Sequence, residues 1–174
     1  MGGVFYNAQK AMMRGGYPKN TVHIHTSSYS WLQGRGPVCD LLMFICDPTG
    51  YLLYAVFAEP GDTNIYYEAL KGYSCLHELP EAFCLNLSSP FYTNFSDPLA
   101  NFGRGLLFDL TILNEIEFHS DTTLESKEKI KRVDDIAKKY LIHNLLMRNI
   151  STLRDANEFL LKHISRINAL TNKK

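Results

Sequence analysis

His23 and His25 flank Ile24 in an alternating stretch, Thr21 to Trp31, and in a strand that two-residue spacing sends both imidazoles to one face. Two rings so placed suit a metal site or a His-hydrophobe-His nuclease. Such a nuclease also requires a helix-borne Tyr and further metal ligands, and nothing in the sequence fixes them. The pair therefore reads as polar residues on the exposed face of an edge strand. Cys75, His77 and Cys84 are zinc-ligand types, and Cys39 or Cys46 would make a fourth. Their spacing matches no C-x-x-C pair, and Leu76, Leu79 and Phe83 point instead to apolar packing around them. "GRGP" and "GRG" lack the flanking strand, Lys and Ser/Thr of a phosphate-cradling loop, and no G-x-S-x-G elbow is present. Glu115 and Glu117 would share one side of a strand, where paired acids are usually solvated. The expectation is a chain with no catalytic residue, no metal site and no cofactor, hence not an enzyme.

The elements that would carry these residues are clearest around "LLMFICDPTGYLLYAVFAEPG", Leu41 to Gly61. Two apolar runs of under ten residues, divided by Asp47-Pro48-Thr49-Gly50, predict a β-hairpin on a type I turn with Gly50 left-handed. Leu42 and Phe44 fall on one face of the first strand and Leu41, Met43 and Ile45 on the other. On the second, Leu52, Tyr54 and Val56 oppose Leu53, Ala55 and Phe57. Neither face is polar, so both need cover. Candidate covers are a helix near residues 64–71, the tract "LHELPEAFCLNL", and the C-terminal segment. A short helix over residues 4–14 and a strand over 21–31 precede the hairpin. Residues 106–118 fit strand alternation at even positions and also helical spacing through Phe102, Leu106, Leu110 and Leu113, with a slight preference for strand.

After Gly105 the chain has neither Gly nor Pro, which favours long helices. Thr122 with Glu125 predicts a helix through about Met147, and Thr152 with Asp155 a second start. Ile150, Leu153, Leu160, Ile164 and Ile167 then keep a/d spacing, with Asn157 at an a position able to fix register. These six are the expected partner-binding residues, unless the helices fold back on their own sheet. The fold class expected is α+β, an antiparallel β-sheet covered by helices on both faces with a long C-terminal helical segment. Residues 1–120 would form the α+β domain and 121–174 a helical extension packed on the domain or on a partner.

Composition narrows the class. Among 174 residues, 45% are hydrophobic and 12% aromatic, as in a globular protein, and no apolar run approaches the ~20 residues of a membrane span. The net charge of zero hides segregation: +4 over residues 1–39, −11 over 40–125 and +7 over 126–174. The cluster Lys127, Lys129, Lys131, Arg132, Lys138 and Lys139 is interrupted by Asp134 and Asp135, so it reads as a solvated helical face, and nucleic acid is an unlikely partner. With no secretory h-region at the start, the four cysteines are expected reduced and the sequons at Asn86, Asn94 and Asn149 unused. The expected location is cytoplasmic, with a mitochondrial alternative raised by the acid-free N-terminus. Tyr6 stands where a myristoylation pattern wants Ser or Thr.

The order of hairpin, acidic loop, "YYEALKGYSCLHELPEAF", Ser89-Pro90-Phe91-Tyr92 and "ILNEIEF" resembles the later half of a longin-type domain over about residues 38–126. Such domains occur in TRAPP small subunits, adaptor small subunits and some SNAREs. The resemblance implies a five-stranded antiparallel sheet between helices and a non-enzymatic role in vesicle-mediated transport, binding other proteins as a subunit of a larger complex. Alternative readings are an accessory structural subunit of an organellar (mitochondrial) assembly and a PAS-like small sensor domain, since strand, D-x-x-G, strand occurs there too.

Overall fold

A computed structural model describes residues 19–61, 63–85, 117–119 and 123–172. In chain order these form β1 (Thr21–Tyr29), β2 (Cys39–Cys46), β3 (Leu52–Ala58), α1 (Thr63–Leu76), β4 (Ala82–Leu85), β5 (Glu117–His119), α2 (Leu124–Met147) and α3 (Leu153–Thr171). The expected helix over 4–14, the "SPFY" tract and residues 106–116 lie outside the described residues. Glu117 and Phe118 belong to a strand.

The fold is α+β, around one five-stranded sheet of order β3-β2-β1-β4-β5. It is mixed, which corrects the antiparallel expectation. β2 pairs antiparallel with β1 and β3, but β4 runs parallel to β1, and β5 parallel to β4. A parallel partner needs a crossover, and α1 lies on the route from β3 to β4. β4, "AFCL", is buried at all four positions, so its pattern within "LHELPEAFCLNL" carried no alternation to mark it as a strand. Its insertion beside β1 makes β1 central. The expected exposed edge strand is therefore overturned, and His23 is buried.

The hairpin forms as its turn chemistry dictates: Gly50 is left-handed at φ 68°, and its N–H donates to the Cys46 carbonyl at 2.8 Å. Leu41, Met43 and Ile45 join a cluster with Val133, Ala137 and Leu141 of α2 and Leu160 and Ile167 of α3. Leu42 and Phe44 join a second cluster with Ala69, Leu70 and Tyr73 of α1. On β3 the faces differ from simple alternation. Leu52, Ala55 and Phe57 belong to the first cluster, while Leu53, Tyr54 and Val56 pack against the second. The cause is a bulge: Phe44 pairs with Tyr54 but Ile45 with Leu52, leaving Leu53 extra.

Both C-terminal helices start at threonine caps. Thr123, one residue after the expected position, accepts from the Ser126 N–H, and Thr152 accepts from the Asp155 N–H. α2 stops where Asn149 turns left-handed at φ 52°, with the Ile150 N–H donating to the Leu145 carbonyl and Asn149 N–H to that of Leu146. The six seam residues face their own chain: Leu160 and Ile167 are in the core, and Ile150, Leu153 and Ile164 pack against it. Asn157 binds the backbone of Phe57, donating to its carbonyl at 3.0 Å and accepting from its N–H at 2.7 Å. No helix among the described residues is long and apolar enough to cross a membrane.

Candidate functional site

In sheets of this type the chain leaves a crevice at the carboxyl ends of adjacent strands whose connections depart in opposite directions. Here that place lies between β1, whose chain goes on to β2 and β3, and β4, whose other neighbour is β5. The register Thr21–Ala82 through Ile24–Leu85 puts both carboxyl ends on the same side of the sheet. A pocket of about 260 Å3 opens beyond the end of β1, lined by Ser28, Tyr29, Trp31, Gly34, Gly36 and Asp40 among others.

Period-2 alternation divides β1. Val22 and Ile24 join the α1 cluster, so Thr21, His23, His25, Ser27 and Tyr29 form a column on the face that α2 crosses. The first end of this column is tied down by Asp47 from the hairpin turn. Its Oδ1 accepts from His23 Nε2 at 2.7 Å and from the Ser126 hydroxyl at the start of α2, while Lys129 Nζ donates to the Asp47 carbonyl at 2.9 Å. The hydrogen bond from His23 pulls the Asp47 carboxyl below its ordinary range. Burial opposes this, and Ser126 and the electrostatic pull of His23 and Lys129 reinforce it. Lys129 is shifted up, first by its hydrogen bond to Glu125 at 2.8 Å.

Further along, His25 lies in the field of Asp134 and Lys138. Burial pushes its pKa below 6.5; Asp134 works against that, while Lys138 and His23 add to it. Asp134 is buried, and its Oδ2 accepts from Lys138 Nζ at 2.6 Å. Lys138 Nζ also lies 5.8 Å from the centre of the Tyr29 ring. The column thus combines two imidazoles with two carboxylates, each carboxylate already engaged by a cation or a histidine.

The zinc-type residues do not converge. Cys75 is exposed, Cys84 is buried on β4 in register with His23, and His77 contacts the Leu53 carbonyl at 2.9 Å while stacking on Tyr73. Among the described residues no three His, Cys, Asp or Glu are grouped to hold a metal ion. Asp47 and Asp134 escaped sequence reasoning. Asp47 was legible only as a turn residue, and Asp134 only as an interruption in a basic run.

No protein-family model matches the chain. Over 152 residues, 84% of this chain, it is 32% identical to the protein named "Putative transposase y4bF" of Sinorhizobium fredii. The chain spans about a third, 32%, of that relative's length. Among solved structures, a chain in the cryo-EM structure of the simian T-cell lymphotropic virus intasome with PP2A regulatory subunit B56 gamma superposes with a TM-score of 0.60 at 11% identity. The match covers 84% of this chain and 48% of that one. The crystal structure of the BIV integrase catalytic core domain gives a TM-score of 0.56 at 10% identity, covering 90% of this chain and 86% of that one. The fold is of the integrase-core type.

These likenesses correct several expectations. The longin resemblance fails, because it rested on a hairpin and short motifs, whereas the chain, whose sheet carries parallel β4 and β5, superposes as a whole on an integrase core. With it fall the scaffold in vesicle-mediated transport, the organellar subunit and the PAS-like sensor. The expectations of a non-enzymatic protein and of nucleic acid as an unlikely partner are overturned by the same relatives, one named a transposase and one an integrase catalytic core.

Proposed function

We propose that this chain is the core domain of a transposase- or integrase-like DNA-recombination protein, with nucleic acid as its substrate class. The observation that carries the reading is 32% identity over 152 residues to a protein named as a transposase, on a sheet of integrase-core type. The crevice between β1 and β4, with α2 across it, is the proposed place of contact. In this reading α1 covers one face of the sheet and α2 with α3 the other, so residues 121–174 complete the core rather than form a separate body. The shared cluster of β2, β3, α2 and α3 side chains supports that.

Exposed bases on α2, Lys127, Lys131 and Lys139 among them, supply amines for phosphate contact. The basic run reads as a contact surface once the fold is known, although acids interleave with it. The test is fluorescence anisotropy with a labelled duplex oligonucleotide: the full chain is expected to bind, and more tightly at low salt. Absence of binding to duplex and single strand alike at low salt would remove the reading.

A further inference from the structure

Phosphoryl transfer in nucleases and polymerases commonly runs through two divalent cations about 3.5–4 Å apart, and hard cations take oxygen ligands. The function proposed above implies such a pair, and this inference rests on that reading. The described donors on the face of β1 beneath α2 do not fit it. β1 offers two imidazoles and several hydroxyls but no carboxylate along its nine residues. Asp47 reaches the face only to be held by His23 and Ser126, and Asp134 only to be held by Lys138. Two buried oxygens here lack a hydrogen-bond partner, Ser27 Oγ and Asp134 Oδ1, and just one of them belongs to a carboxylate. Mg²⁺ demands about six oxygens in near-octahedral array. The charges facing the column from α2 include the ammonium groups of Lys129 and Lys138, which oppose a second or third positive charge.

We infer that the face of β1 beneath α2 does not hold a divalent-cation pair, and that the exposed amines of α2, Lys127 and Lys131 among them, meet nucleic acid directly, amine to phosphate, without a bridging metal ion. A cation pair serving strand cleavage or joining would draw its carboxylates from outside this face. The absence of any carboxylate along β1, with imidazoles and hydroxyls in its place on the sheet face, is the deciding feature.

Two measurements on the full chain test this. Mn²⁺ is titrated in and the free-ion signal followed by electron paramagnetic resonance, and duplex binding is compared in Mg²⁺ and in EDTA at matched ionic strength. The expected results are no Mn²⁺ site that Asp47→Asn or Asp134→Asn weakens, and a duplex affinity that changes by less than about twofold between the two buffers. Micromolar binding of two Mn²⁺ ions that is weakened by Asp134→Asn or Asp47→Asn would overturn the inference. Loss of duplex binding in EDTA would do the same. If the duplex fails to bind in both buffers, the function reading and the direct-contact half of this inference fall, and the Mn²⁺ titration of wild type against the two variants still decides the cation half.

Discussion

Asp47 joins three elements through one residue: the hairpin turn it belongs to, His23 on the central strand, and the first turn of α2 through Ser126 and Lys129. Its depressed carboxyl makes that junction sensitive to acid. Because the folded pKa lies below the unfolded value of about 3.9, the contribution is complete above that value and is lost as pH falls through the folded one. Urea unfolding of Asp47→Asn is expected to show a loss of about 1.5–3 kcal/mol at pH 7, the range for hydrogen bonds to a charged group. The difference from wild type should shrink toward pH 2, and an equal loss at both ends would show that the carboxylate charge contributes nothing. His25 adds a second sensitivity of the same sign: burial lowers its folded pKa below the unfolded value, so the half-buried imidazole destabilises the fold as pH drops below about 6.5. The two histidines were legible as a same-face pair because strand periodicity is strict. Their partners were not, since Asp47 lies 24 residues from His23 and only pairing brings it back.

α3 is clipped to the edge of the sheet by two asparagines. Asn157 takes both backbone groups of Phe57, and Asn168 takes both of Leu52, its Oδ1 accepting at 2.8 Å and its Nδ2 donating at 2.9 Å. The spacings agree: eleven residues of helix rise about 16 Å, and five residues of strand span about 16 Å. β3 ends the sheet, so these side chains satisfy groups that would otherwise invite another strand. Each of Asn157→Ala and Asn168→Ala is expected to cost about 1–3 kcal/mol in chemical denaturation, with near additivity in the double variant. The double variant should also self-associate more readily, read by light scattering. A monomeric double variant of wild-type stability would show that water replaces the clips at no cost. At this scale the threonine caps and the hairpin were readable, since each is local chemistry. The Leu53 bulge and β4 were not, the first because one extra residue leaves no compositional mark, the second because a short strand buried on both sides looks like any apolar run.

The sequence carries a basic C-terminal stretch, +7 over residues 126–174, whose helices α2 and α3 share a core with a sheet whose order no local pattern encodes. Strand order depends on which segments cross over, and the parallel pairing of β1 with β4 joins residues some sixty positions apart. A hairpin common to many folds therefore suggested a wrong family, while the identity to a protein named as a transposase is spread thinly over 152 residues. If the basic stretch meets phosphates, duplex affinity is governed by counterion release, and log K falls linearly with log salt at about −0.9 per phosphate contacted. Lys127 and Lys131 are exposed one turn apart on α2, so one helical face carries both. Replacing both with Ala is expected to make the salt slope shallower by about 2 and to weaken binding at low salt, regardless of duplex sequence. Thermal unfolding should stay close to wild type, because exposed helix positions tolerate Ala. Should the slope stay unchanged while binding persists, the phosphates are met by another surface of the chain, and the crevice beneath α2 loses its claim to the substrate.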